Sequence, residues 1–224
     1  MRSARFRAAY LRKELQRWFL ANAREFPWRS NRPVAYELTI AEVLLQRTKA
    51  ETVAPLYRTF VRRFQTWKSL ARARPHQLKR YLKPLGLWKR RSSSLLNLAR
   101  AVCESGGRLP KTRESIEALP GIGQYIANAI LCQIYGKREP LLDVNMARVV
   151  ERFFEPRKLA DIRTDPVLQS YGRLILPRSK VKEFNWAVLD FAAAVCRSRD
   201  PKCSECPVSR HCNYFNRGSR KKRN

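Results

Sequence analysis

The chain contains no uninterrupted apolar run approaching the ~18 residues that a bilayer-spanning helix needs. It also lacks any alternating apolar–polar stretch long enough to specify a strand, and it shows no internal repeat, so the expected fold class is all-α. Acidic side chains are scarce: 18 Asp and Glu stand against 47 Lys and Arg, a formal charge of +29. An excess that large goes beyond solubility and points to a densely anionic partner, nucleic acid before an anionic membrane surface. The opening Met1-Arg2-Ser3-Ala4-Arg5 leads into an amphipathic segment without the apolar centre of a secretory signal. A cytoplasmic protein with no membrane partner is therefore expected. In that compartment the six cysteines read as metal ligands or buried thiols rather than disulfides. At 44% hydrophobic residues in 224, the chain can build a sizeable core, in one large domain or two small ones.

What is present is helical periodicity. Leu11, Leu15, Trp18 and Phe19 share one face, Ile40, Val43 and Leu44 mark a second helix, and Val53, Leu56, Tyr57, Phe60, Val61 and Phe64 a third. Leu78 to Leu82 and Leu95 to Val102 add two more, and Phe184, Val188, Phe191, Ala192 and Val195 form a late apolar stripe. Pro166 after Thr164-Asp165 marks a helix start. Residues 216–224 read as a disordered basic tail, either solvated or touching DNA.

The organising stretch runs from Leu119 to Asp143. A short helix capped by Thr112 is expected over Thr112 to Ala118, and Ile122, Ile126, Ala129 and Ile130 recur at helical spacing after Pro120-Gly121-Ile122-Gly123. Two helices therefore meet at a tight turn. Gly121 and Gly123 remove Cβ there, permitting positive φ and close approach of another backbone. The amides that open the second helix, from Gln124, lie at the positive end of its dipole, where a phosphate is a natural ligand. An ordinary αα-hairpin has the same pattern.

Cys196, Cys203, Cys206 and Cys212 follow the spacing C-x6-C-x2-C-x5-C. Four thiolates so close in sequence can wrap one metal centre, zinc or a [4Fe–4S] cluster, with no open coordination position and hence a structural role. Cys103 and Cys132 lie on apolar helix faces and read as buried thiols.

This cysteine spacing, downstream of Leu-Pro-Gly-Ile-Gly and Leu142-Asp143-Val144-Asn145, resembles the helix-hairpin-helix DNA glycosylases of the endonuclease III superfamily. Phe26-Pro27-Trp28-Arg29, Ala41-Glu42-Val43-Leu44-Leu45-Gln46-Arg47-Thr48 and Phe184-Asn185-Trp186-Ala187-Val188-Leu189-Asp190-Phe191 occur in the matching order. The resemblance implies two helical domains. A six-helix barrel with the helix-hairpin-helix occupies residues 30–137, an iron–sulfur domain combines 1–29 with 138–215, and 216–224 is the tail. Double-stranded DNA would lie in the cleft between the domains. It further implies a [4Fe–4S] cluster on Cys196, Cys203, Cys206 and Cys212, and a nucleoid-associated monomer. Arg197, Arg199 and Lys202, between the first two ligands, would meet phosphates, as would the hairpin turn at Gly121, Gly123 and Gln124.

Breaking a C1′–N bond builds positive charge on the sugar, which a facing carboxylate stabilises. Asp143 matches the family's aspartate. It is also placed as a helix N-cap, an interaction expected to lower its pKa and keep it charged. Lyase-active relatives carry a lysine where this chain has Tyr125, and a phenol cannot form a Schiff base. The resemblance therefore implies a monofunctional enzyme, with Tyr125 lining the base pocket. Glu42 matches a glutamate that protonates the departing purine in adenine glycosylases and is shared by thymine mismatch enzymes. Gln46 and Arg47 would enter the duplex where a flipped base has left, and Leu87 and Trp88 belong to a second DNA-facing loop. Adenine-specific relatives have Gly-Tyr-Tyr where this chain has Gly86-Leu87-Trp88, and they continue into a second domain beyond the cysteines. The expected activity is removal of thymine or uracil opposite guanine in a mismatched duplex. An adenine glycosylase and a catalytically silent DNA-binding module are the alternatives.

Overall fold

The computed structural model describes residues 2–29 and 34–221, and every described element is helical. The chain forms two compact units, one of residues 25–135 and one joining residues 1–24 to 136–224.

In the 25–135 unit, α2 (Ala35–Leu45) is apolar on nearly every side, and Tyr36, Leu38, Ile40, Ala41, Val43 and Leu44 are all buried. A helix without a polar face must be surrounded. It packs on α3 (Ala50–Arg63), α6 (Trp88–Glu104) and α8 (Gln124–Gln133). Phe60 and Phe64, each 1% exposed, contribute ~2–3 kcal/mol apiece by burial. The short α4 (Trp67–Ala71) begins at a Thr66–Ser69 capping box and packs with α5 (Pro75–Leu82) on α6. Trp28 inserts into this core, stacked on Phe26 with centroids 5.0 Å apart and edge-on to Tyr57. The hairpin is α7 (Arg113–Glu117), whose N-cap Thr112 accepts from the Ser115 amide as expected, followed by α8.

In the other unit, α1 (Arg2–Asn22) buries Leu11 and Leu15 completely and packs on α10 (Pro166–Ile175) and α11 (Val181–Ala194). Asp165 caps α10, accepting from the Leu168 amide at 2.7 Å, so the helix start expected at Pro166 is present. Arg12 and Arg138 close its other end, donating to Leu174, Ile175 and Leu176 carbonyls at 3.1, 3.0 and 2.7 Å. Asp190, fully buried on α11, accepts from the backbone and side chain of Arg24 at 3.0 and 2.8 Å.

Two expectations are corrected. The basic tail is not disordered from residue 216, because α12 spans Asn213–Lys221; its remaining residues, 222–224, lie outside the described residues. The helix is anchored by Tyr214, whose ring sits 4.8 Å from the Arg152 guanidinium, while Arg217 is exposed. Of the two lone thiols, Cys132 is buried as expected, but Cys103 is only partly so.

Candidate active site and nucleic-acid interface

The hairpin turn presents the first element of the site. Gly121 has φ 79°, a conformation that favours glycine. Gly123 does not share it: at φ −100° it is ordinary extended backbone, so the expectation of positive φ holds for Gly121 alone. Gly123 is exposed, and a Cβ there would meet nothing within 4 Å. Its missing side chain therefore leaves open space in front of the positive end of α8, where Gln124 begins the helix. Tyr125, one residue on, is partly buried against the core of its unit.

Glu42 lies on α2 at 5% exposure, as its buried neighbours Val43 and Leu44 foreshadowed. Its Oε1 is 3.4 Å from the Gln133 Nε2 of α8. Beyond the end of α2, Gln46 and Arg47 are exposed, Arg47 has φ 56°, and Gln46 donates from Nε2 to the Gly121 carbonyl at 3.3 Å. Leu87, also in the left-handed region at φ 49°, is 61% exposed. Trp88 beside it is flanked by Lys79 and Lys89, whose Nζ atoms lie 5.4 and 6.0 Å from its ring centroid. Apolar and aromatic tips set among cations suit contact with bases and phosphates.

In the other unit, Asp143 is the N-cap of α9 (Val144–Phe153). Its Oδ1 accepts from the Asn145 and Met146 amides at 2.9 and 2.8 Å, and its Oδ2 accepts from Asn145 Nδ2 at 2.6 Å. The segment leading to it is pinned by the fully buried Asn185, which accepts from the Leu141 amide at 3.1 Å and donates to the Glu139 carbonyl at 3.0 Å. The cap bonds and the Arg148 charge favour the carboxylate, as anticipated. Burial opposes them and prevails, so the Asp143 pKa lies above its ordinary value rather than below it.

Cys196, Cys203, Cys206 and Cys212 line one cavity, walled by Val149, Phe153, Phe191 and Val208, and none is disulfide-bonded. Among the described residues, no three donors converge on a single ion. The thiols sense one another: burial, reinforced by the neighbouring sulfurs, pushes Cys206 up to about 11 and raises Cys203 and Cys212. Arg152 donates to the Arg197 and Ser198 carbonyls at 2.6 and 3.0 Å, and Arg148 to the Cys196 carbonyl at 2.8 Å, so α9 fixes the loop that follows Cys196. On that loop Arg199 is exposed. Arg197 bonds Asp200 at 2.9 Å, and Lys202 lies 3.4 Å from Glu205. Exposed pairs of this kind are worth little.

Sequence reasoning assigned no role to Arg91, Gln133, Asn145, Arg148 or Arg152. Arg91 alone carried a local signal, since positions 91, 95, 98 and 102 share one helical face and the other three are Leu95, Leu98 and Val102, all buried.

Comparison with known proteins finds parallels to this arrangement of elements. A family model described as the HhH-GPD superfamily of base excision DNA repair proteins matches residues 40–168. The chain is 37% identical over 211 residues to a thymine-DNA glycosylase of Aeropyrum pernix, covering 92% of this chain and 94% of that protein. It is 33% identical over 197 residues to a thymine/uracil-DNA glycosylase of Methanothermobacter thermautotrophicus, covering 88% and 89%. Among solved structures, that of a thermostable thymine-DNA glycosylase superposes with a TM-score of 0.88 at 30% identity, covering 94% of this chain and 97% of the other.

Proposed function

The chain belongs to the HhH-GPD superfamily of base excision DNA repair proteins, and from that premise we propose that it is a monofunctional DNA N-glycosylase that excises thymine or uracil opposite guanine and leaves an abasic site. The observation that carries the chemistry is the Asp143 carboxylate, fixed by three donors yet held in surroundings that disfavour its charge. A preorganised anion of this kind gains most when a cation develops beside it, as on the sugar when the base departs. The likeness to thymine and thymine/uracil glycosylases over nearly the full length of both chains supports the choice of base.

In this reading Asp143 faces the sugar and orients the attacking water. Glu42, held beside Gln133, addresses the leaving base, and Tyr125 lines its pocket. Gln46, Arg47, Leu87 and Trp88 enter the duplex as the base leaves the stack, which costs least at a mismatch. The hairpin amides around Gly121, Gly123 and Gln124, with Arg197, Arg199 and Lys202, hold phosphates on a monomer bound to mismatched duplex DNA. Tyr125 supplies no amine, so hydrolysis rather than Schiff-base chemistry follows.

The test is base release from duplexes containing T·G, U·G, A·G or A·8-oxoguanine. Thymine and uracil should be released opposite guanine, and the strand should stay intact until alkali or heat is applied. Release of adenine alone would overturn the assignment of the base. No release from any duplex would leave a silent binding module. A borohydride-trapped covalent adduct in good yield would overturn monofunctional hydrolysis.

The four cysteines fit a [4Fe–4S] cluster by donor set, four unbridged thiols lining one largely apolar cavity. Cys196, Cys203, Cys206 and Cys212 would hold it, and its contribution would be to brace the Arg197–Lys202 loop rather than to react. The purified protein should be brown, and Cys203→Ala should lose the colour and the iron and weaken duplex binding. A colourless wild-type protein with stoichiometric zinc would overturn the cluster.

A further inference from the structure

Two exposed loops in the 25–135 unit each hold a non-glycine residue in the left-handed region, Arg47 at φ 56° and Leu87 at φ 49°. Such residues keep that conformation only where their surroundings enforce it. One side chain reaches both loops. Arg91, in the first turn of α6 and 8% exposed, donates from Nε to the Gly86 carbonyl at 3.1 Å, immediately before Leu87. Its Nη2 donates to the Gln46 carbonyl and to Thr48 Oγ1, both at 2.7 Å, on either side of Arg47. Its Nη1 donates to the Val43 and Leu44 carbonyls at 3.3 and 3.1 Å, in the last turn of α2.

A guanidinium has five N–H donors in a rigid fork, and the five acceptors here match them. All five are neutral oxygens, so the buried charge is compensated by carbonyls and by the negative end of the α2 dipole rather than by a carboxylate. Burying a cation in this way is a poor means of filling space, since an apolar side chain does so more cheaply. What the fork provides is a fixed separation and orientation of two loops whose tips are strained and exposed.

We propose that Arg91 is a positioning residue for base extrusion: it locks the Gln46–Thr48 loop and the Gly86–Trp88 loop into one geometry, so that Gln46, Arg47 and Leu87 enter a duplex as a single preorganised wedge. This rests on reading those loops as DNA-facing. Preorganisation removes the ordering cost from the extrusion step, while attraction to phosphates does not depend on it.

Arg91→Lys keeps the charge, but a point ammonium cannot bridge both loops. The experiment measures three quantities on wild type and variant: the Kd for matched duplex, the Kd for T·G duplex, and the fluorescence rise of 2-aminopurine beside the target base, which reports unstacking. Matched-duplex affinity should stay within about twofold, while the mismatch preference and the fluorescence rise fall by about tenfold or more, the scale on which small misplacements act. Thr48→Val removes one acceptor at nearly constant volume and should show the same pattern more weakly. If Arg91→Lys does not fold, that variant carries the test by the same criteria. A folded variant with wild-type fluorescence and mismatch preference overturns the proposal. So does an equal loss on matched and mismatched DNA, which is what general destabilisation would give. If wild type itself unstacks no duplex, the DNA-facing reading of the loops has failed and this proposal falls with it; if wild type does and the variant matches it, only this proposal fails.

Discussion

Asp143→Asn is expected to lower single-turnover release of thymine from a T·G duplex by about 100-fold or more, while the melting temperature stays level or rises. Loss of one preorganised electrostatic contact to a developing charge typically costs ~3 kcal/mol, a factor of about 10². The asparagine oxygen can still accept from the Asn145 and Met146 amides that the aspartate Oδ1 now holds at 2.9 and 2.8 Å, so the cap of α9 survives with only the Asn145 Nδ2 contact to Oδ2 lost. Stability should not fall, because burial already disfavours the charged form that is lost. A residue that served only as a cap would give the opposite pattern, base release at the wild-type rate. The same shift fixes the pH dependence. Because the carboxyl pKa is raised in the folded protein, the anion needed opposite the sugar is lost on acidification at a higher pH than an ordinary aspartate would require. The rate measured over roughly pH 4 to 8 should therefore fall on the acid side with a midpoint higher than an ordinary aspartate would give, and Asp143→Asn should abolish that limb. Stability runs the other way. A raised carboxyl contributes most when protonated, below its unfolded value, and that contribution is lost as pH rises through the folded value. An acid limb common to wild type and Asp143→Asn would assign the titration to another group.

Much of this arrangement is legible in the sequence because it rests on local rules. The hairpin is announced by the Thr112 cap and by the one glycine, Gly121, that adopts positive φ. The start of α10 is announced by Asp165-Pro166. The apolar stripes of α1, α3 and α11 follow the helical period, and α2 is apolar enough to imply a surrounded helix before its neighbours are known. Long-range pairings leave no such trace. Nothing near Gln133 announces Glu42, 91 positions away, and nothing in Asn185 announces the Leu141 amide it pins. The sign of the Asp143 shift escapes the sequence for the same reason: the cap bonds are local and readable, whereas the burial that outweighs them is tertiary. Charge conceals structure as well. Lys89-Arg90-Arg91 is one uninterrupted basic run in sequence, yet Lys89 and Arg90 are exposed while Arg91 is buried as a staple between loops. The basic end of the chain likewise conceals α12, because Tyr214, which seats it against Arg152, is outnumbered by charges.

Affinity for duplex DNA is expected to fall about 10³-fold between roughly 50 and 200 mM salt. Even if every acidic side chain neutralised one basic side chain, 29 cations would remain, and compact folding does not consume them: Arg47, Lys49, Lys83, Lys89 and Arg90 are all exposed. A protein that replaces the counterions of ~6 phosphates shows a slope of about −5 for log K against log salt, which gives that loss over a fourfold change. The slope should be the same for matched and T·G duplexes, since phosphate contacts position the protein without reading the base. The mismatch preference should therefore persist at each salt concentration and appear as a parallel offset between the two lines. Neutralising one exposed cation tests the count directly. Arg47→Gln should flatten the slope by about 1 if Arg47 holds a phosphate, and should leave it unchanged if the side chain only enters the stack. A wild-type slope near zero would mean that the basic excess serves some other anionic partner, and a steep slope on matched DNA beside a shallow one on T·G would mean that recognition of the mismatch gives up phosphate contacts rather than adding to them.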